Sequence, residues 1–203
     1  EKDMQMIKSG LVVTTVGGPG AFGYKQSFNQ NHSINYIIED VFEKKHIYYT
    51  RYPFDIHGSD ERQFSTQGFR INMASITKDK YYEYDYYHSS LDNLNYISAD
   101  QIYSSLEVHL EVLSALNREP LYLSNVKYCE VMLSKYDLYP EIGGACLPYS
   151  NGLSKIDIIL WILWYSDGER GMLELSNKIM LDLSDLIPVA DYLCEKNIMV
   201  RLI

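Results

Sequence analysis

The 203-residue sequence is poor in cysteine, short of positive charge and without a long apolar run, and each shortage excludes a class of protein. Its three cysteines, Cys129, Cys146 and Cys194, are odd in number and show no C-x-x-C spacing, which argues against a disulfide framework and against a cysteine-ligated zinc site. Such cysteines fit a reducing cytoplasm, the location expected for this chain. The longest apolar stretch, residues 158–165, covers roughly two helical turns, and a membrane span needs about 18 residues or more, so no membrane insertion is expected. Lysine and arginine number 18 against 27 aspartates and glutamates, a net charge of −9. The field of such a molecule repels phosphate backbones and anionic lipid, so neither nucleic acid nor a membrane surface is an expected partner. The chain opens on Glu1-Lys2-Asp3-Met4, with neither an initiator methionine nor a charged-then-apolar export signal, and it reads as a portion of a longer protein.

What is present is the composition of a folded chain, 46% hydrophobic and 22% charged, with length for one large or two small domains. The run Leu-Val-Val-Thr-Thr-Val over residues 11–16, stopped by Gly17-Gly18-Pro19-Gly20, predicts a strand buried on both faces. Ser33 then caps a predicted helix whose residues Ile34, Ile37, Ile38, Val41 and Phe42 form the single stripe of a helix lying on a sheet. Strands are expected at 46–50 and 68–76, separated by a long polar loop over 55–67. Ser98 and Gln101 form the pattern of a capping box for a helix running to about Leu116, its stripe Ile102, Leu106, Leu110, Leu113 and Leu116 expected to close the α/β layer. Tyrosine is the outlier at 19 residues, five of them within 81–87, most simply read as an amphipathic strand whose rings pack on neighbours.

Three segments are expected: an α/β portion over 1–117, a tether over 118–151 marked by Pro120, Pro140, Gly143-Gly144 and Pro148, and a compact domain over 152–203. That last stretch predicts helices at about 153–165, 172–179 and 183–196, with Asn197 as a stop and a strand at 198–203, a winged-helix pattern.

Two segments concentrate chemistry. Residues 57–64, His-Gly-Ser-Asp-Glu-Arg-Gln-Phe, pack a histidine, two carboxylates and an arginine beside a glycine, and residues 86–93, Tyr-Tyr-His-Ser-Ser-Leu-Asp-Asn, set a histidine between an aromatic cluster and a capped helix. By composition alone the first is a solvated polar loop and the second a surface histidine. The order GSDERQF, strand, YHSSLDN, helix nevertheless resembles the C-terminal half of the bacterial aminopeptidase-like family related to co-catalytic zinc aminopeptidases. LVVTTVGGPGAFGYK resembles that family's strand and Gly-Pro turn, YPEIGG its post-catalytic linker, and ILWYSDGERGMLELS its C-terminal winged helix, so the likeness covers about residues 10–203.

The resemblance implies part of a mostly parallel-sheet, zinc-exopeptidase-like α/β domain followed by a small winged-helix domain, with a site at strand ends and a peptide-like or amide substrate. It implies zinc as cofactor, with His88 as the final metal-ligand histidine and Asp60 as an acidic residue orienting a ligand or the substrate amine. Arg62 is then placed to bind a substrate carboxylate, and Tyr87 to donate to a developing oxyanion or wall the pocket. The family often belongs to polysaccharide-biosynthesis settings. There are also departures: the family's first histidine ligand, bridging aspartate and paired glutamates precede the region present here, and Gly17-Gly18 stands where a ligand aspartate is expected. Two functions therefore stay open, the C-terminal portion of a zinc hydrolase and a noncatalytic binding or assembly module on a degenerate peptidase fold.

Winged helices often read DNA, but here charge opposes it. Residues 152–203 hold five lysines or arginines and eight aspartates or glutamates, and the candidate recognition helix carries Asp185, Asp191 and Glu195 against Lys196. Domain packing or homo-oligomerisation, with Trp161 and Trp164 as candidate contacts, is the expected role. The charge balance predicts no duplex-DNA affinity at physiological salt; fluorescence anisotropy giving a micromolar or tighter Kd would contradict it.

Overall fold

Chain segments rich in β-branched and aromatic residues before position 80 pair into one mixed sheet, in a computed structural model that describes residues 3–139 and 148–202. The strands are β1 (Ser9–Val13), β2 (Phe22–Lys25), β3 (Tyr49–Tyr52) and β4 (Asn72–Thr77), in the order β1-β4-β2-β3. Two of the three pairings are parallel, β1 with β4 and β2 with β3, while β2 runs antiparallel to β4. Helix α1 (Ser33–Lys44) makes the crossover from β2 to β3, and its Ile34, Ile37, Ile38, Val41 and Phe42 are all buried, as their spacing predicts. Phe42 stacks on Tyr49 at a centroid distance of 4.7 Å and meets Phe22 at 5.7 Å, so helix and strands share one aromatic core.

The differences from expectation have local causes. β1 is an edge strand and not buried on both faces: it pairs only with β4 in the sheet order, and Val13 is 63% exposed. The cap of α1 is His32, whose Nδ1 accepts the Ile34 N–H at 3.2 Å, one residue earlier than the expected Ser33. The polar loop contains a short helix, α2 (Asp60–Phe64). Residues 81–87 form successive turns and not a strand. Before helix α3 (Ala99–Arg118) only half of the capping box forms: Ser98 Oγ accepts the Gln101 N–H at 3.3 Å, while the Ser98 N–H donates to the Gly17 carbonyl at 3.0 Å. The aliphatic stripe of α3 also faces outward. Ile102, Leu106, Leu110 and Leu113 are 43–55% exposed, and the helix buries Ser105, Val108, His109 and Val112 instead, with Ser105 Oγ donating to the Val16 carbonyl at 2.8 Å.

The chain divides into two units, 1–116 and 117–203. The stretch read as a tether belongs, where described, to the second: β5 (Leu121–Ser124) is the middle strand of its sheet, and Tyr122 and Leu133 lie in its core. A short strand pair, β6 (Pro148–Ser150) and β7 (Leu153–Ser154), precedes α4 (Lys155–Tyr165), which opens on a complete capping box between Ser154 and Asp157. β8 (Asp167–Gly171), α5 (Met172–Ile179), α6 (Leu183–Glu195) and β9 (Met199–Arg201) complete the winged-helix arrangement, with β5 antiparallel to both β8 and β9. Ile158, Ile162, Met172, Leu175, Leu186 and Leu193 bury its three helices together. Asn197 takes the left-handed φ of +60° that ends α6. YPEIGG falls outside the described residues except for Tyr139, as does Cys146; Cys129 and Cys194 carry free thiols.

One polar feature lies inside the first unit. β2 is buried along its length and ends in Lys25, 3% exposed, so its ammonium needs partners within the protein. Lys25 Nζ meets the fully buried Glu61 Oε1 at 3.3 Å and Asp55 Oδ1 at 2.9 Å, and donates to the carbonyl of His57. Glu61 also accepts from the Ser59 N–H at 3.2 Å and the Tyr81 hydroxyl at 3.4 Å, so the pair pins loop 55–59, α2 and the start of the tyrosine segment to the sheet. Removing one buried partner strands the other charge, so Lys25→Met should cost about 3–5 kcal/mol, and Lys25→Met with Glu61→Leu well under the sum of the singles. Urea denaturation of the four-variant cycle reads this, and additive costs would refute it.

His32 makes a second prediction. Burial lowers its pKa to about 4, and only the neutral ring can accept the cap hydrogen bond. Between about pH 6.5 and 4 the unfolded chain binds a proton that the native state refuses, so stability is complete above that window and falls as pH drops through it. Buried His109, also shifted down, adds in the same direction. His32→Asn, which keeps a capping acceptor, should flatten the pH dependence of the urea midpoint between pH 7 and 4.5; an unchanged slope would contradict it.

Candidate functional site

Strands β1 and β4 run parallel, so their C-terminal ends lie side by side, and the residues that follow them build the site. Thr14–Gly18 continue from β1 and Asp79 follows β4, and together with Tyr84, Tyr87, His88, Asp92 and Tyr96 they line a cleft of about 450 Å³. Ligands are held in open α/β sheets at such carboxyl ends.

Asp79 is the joint of this cleft. Its carboxylate accepts the Tyr96 hydroxyl at 2.9 Å and the Gly20 N–H at 3.4 Å. A Cβ at Gly18 or Gly20 would lie 2.0 or 1.8 Å from an Asp79 oxygen, so the Gly-Gly-Pro-Gly turn is glycine-rich because the carboxylate fills the space of its side chains. Thr15 is strained: a β-branched residue at φ +48°, it is held by the N–H groups of Lys78 and Asp79, which donate to its carbonyl at 3.0 and 3.5 Å. Its buried Oγ1 has no hydrogen-bond partner among the described residues.

The tyrosine segment forms the outer wall. Tyr84 lies parallel to Tyr96 at 5.7 Å, Tyr84 meets Tyr87 edge-on at 5.7 Å, and the rings of Tyr87 and His88 stack at 4.0 Å. His88 holds a left-handed φ of +56°. Tyr84 donates to Asp92 Oδ2 at 3.4 Å, and burial followed by the charge of Asp92 pushes its pKa up to about 12. Burial and the hydrogen bond to Asp79 raise Tyr96, and burial with the neighbouring Tyr82 raises Tyr87. These phenols stay protonated at neutral pH and act as donors and ring faces, not as bases.

The four residues singled out from sequence divide into two pairs. Tyr87 and His88 line the cleft. Asp60 and Arg62 lie on α2 and do not: only Ser59, the residue before that helix, reaches the cleft wall, Asp60 is exposed in its first turn, and Arg62 Nη1 donates to the Ile56 carbonyl at 3.1 Å. Sequence reading missed Asp79, Asp92, Tyr84 and Tyr96. Asp92 was inside the quoted YHSSLDN, but nothing in the sequence tied Asp79 to a glycine turn some sixty residues earlier, a pairing set by β1–β4 register.

Zinc needs three or four protein donors. Among the described residues no group of three histidines, cysteines, aspartates or glutamates comes together, so these residues do not fit a zinc centre by themselves. No described helix is long and apolar enough to cross a membrane.

Comparison with known proteins agrees with this architecture. Residues 1–119 match a domain of unknown function, DUF4910, and residues 121–201 match a winged helix-turn-helix family. A Clostridium acetobutylicum protein, provisionally named as a polysaccharide biosynthesis protein with an aminopeptidase-like domain, is 32% identical over 194 residues, covering 95% of this chain and 43% of its own length. A crystal structure from the same organism, provisionally described as a peptidase, superposes with a TM-score of 0.59 at 28% identity, over 99% of this chain and 43% of that one. The chain thus spans less than half the length of these relatives. The chain belongs to the DUF4910 family, whose domain covers residues 1–119, and its peptidase-like fold is succeeded by a winged helix-turn-helix domain.

Proposed function

We propose that this chain provides the substrate-binding part of an aminopeptidase-like hydrolase, taking a peptide or amide into the cleft beyond β1 and β4. The observation that carries this reading is the meeting in one cleft of Tyr87 and His88 with the loop after β1 and with Asp79 beyond β4. Tyr87, held as a neutral phenol, donates to a ligand carbonyl, and His88 beside it offers a ring nitrogen at the cleft mouth. Asp60 and Arg62, which do not line the cleft, are given no ligand contact in this reading. Zinc-dependent hydrolysis needs donors beyond those described, drawn from polypeptide that the longer relatives carry outside the match. The polysaccharide-biosynthesis setting named for the Clostridium protein is the biological context we adopt for the parent.

For the second unit we propose domain packing or assembly instead of DNA reading. Asp191 on α6 is engaged by the Tyr122 hydroxyl at 2.9 Å and by Arg201 at 3.6 Å, and Trp164 is 68% exposed.

Purified alone, exposed to zinc and dialysed, the chain should retain well under one zinc and show no turnover of leucine p-nitroanilide. Calorimetry should nevertheless detect a dipeptide, with affinity lowered at least about fivefold by His88→Ala and the circular dichroism spectrum unchanged, because His88 is exposed. Absence of dipeptide binding, or binding indifferent to His88→Ala, would contradict the reading.

A further inference from the structure

The mixed sheet has a second pair of adjacent carboxyl ends. β2 and β3 are parallel to each other and opposed to β1 and β4, so the residues that follow them gather at the other end of the sheet. There Gln26, next after β2, and Pro53, next after β3, line a cleft of about 390 Å³ with the loop that leads into α1. That loop is shaped by one buried side chain. Asn35, in the first turn of α1, takes the Ser27 N–H on its Oδ1 at 3.0 Å. Its Nδ2 donates to Ser27 Oγ and the Asn29 carbonyl, both at 3.0 Å, and to the Gln30 carbonyl at 3.2 Å. The backbone carrying Gln26, Gln30 and Asn31 is thereby fixed, so a ligand meets their side-chain amides without having to order the loop.

The chemistry of the lining selects a class of ligand. A carboxamide both donates and accepts hydrogen bonds and carries no charge, which matches a hydroxyl. The two charged groups of the cleft cancel: Arg51 Nη1 donates to Glu39 Oε1 at 3.1 Å, and the Tyr24 hydroxyl donates to the same carboxylate. An anion entering beside that pair is repelled by Glu39 and a cation by Arg51, and neither finds an unbalanced counter-charge. Tyr36 and Pro53 add apolar surface. We propose that this cleft is a binding site for a neutral sugar. Its hydroxyls are shared among the amides of Gln26, Gln30 and Asn31 and the guanidinium of Arg51, and its C–H groups meet Tyr36 and Pro53. The site is separate from the cleft beyond β1 and β4, and neither reading depends on the other.

The probes are the methyl glycosides of glucose, galactose, mannose and N-acetylglucosamine, which sample the common hydroxyl arrangements of a neutral hexose. Methyl glucosaminide, protonated below neutral pH, and methyl glucuronide are their cationic and anionic counterparts. Each is titrated into the intact 203-residue chain, with the side-chain amide resonances of Gln26, Gln30 and Asn31 followed by nitrogen-edited nuclear magnetic resonance. At least one neutral glycoside should move those resonances saturably, with a Kd on the order of millimolar, and bind at least about fivefold tighter than either charged counterpart. Gln30→Ala, which leaves the carbonyl bond to Asn35 in place, should weaken that glycoside at least about fivefold, while Gln63→Ala, which removes an exposed amide from α2, should not. Thermal melts of both variants separate loss of binding from loss of fold. Shifts that fail to saturate for all four neutral glycosides, a charged counterpart that binds as tightly as the best of them, or equal effects of Gln30→Ala and Gln63→Ala would overturn the sugar site.

Discussion

The cleft depends on one carboxylate placed where a side chain of the facing turn would otherwise be. Asp79 reaches from the end of β4 into the Gly18–Gly20 turn and holds the Tyr96 hydroxyl, so three separate stretches of sequence converge on two oxygen atoms. The neighbouring strain follows from that convergence. Thr15 takes a left-handed conformation that a β-branched residue rarely adopts, and the N–H groups of residues 78 and 79 hold it there. Strain maintained by surrounding hydrogen bonds at a strand end is the pattern expected where ligands are held.

A buried ion pair orders the loop beside it. Lys25 and Glu61 cannot be solvated where they lie, and their mutual contact fixes α2 and the first tyrosine of the cluster against the sheet. The loop that resembles a peptidase motif is therefore ordered by its glutamate, while its aspartate and arginine remain at the surface. The residue of that motif with the clearest structural work is the one its composition least advertised.

Periodicity made much of the fold legible. The α1 stripe and the extent of α5 follow from spacing, because each of these helices buries a face wide enough to impose its period. The same logic misplaced α3: its leucines are the more hydrophobic stripe, yet a serine bonded to the Val16 carbonyl and a buried histidine face inward, a choice made by contacts that no helical period encodes. β5 was hidden for a related reason, since a four-residue strand between prolines and polar residues reads as a tether until its partners, some forty-five and eighty residues later, are in place. At the site, YHSSLDN marked the wall, but Asp79 was not legible, because its role comes from parallel pairing and not from its neighbours in sequence.

The central claim is that the cleft at the strand ends of the first unit takes a peptide-like ligand beside Tyr87 and His88. The most direct measurement is intermolecular nuclear Overhauser contacts from the methyl protons of a bound leucine-containing dipeptide. The account predicts contacts to the ring protons of Tyr87 and His88, with the methyl resonance moved upfield by those rings. Contacts confined to other surfaces, or a methyl resonance that stays at its free position at saturating protein, would contradict it.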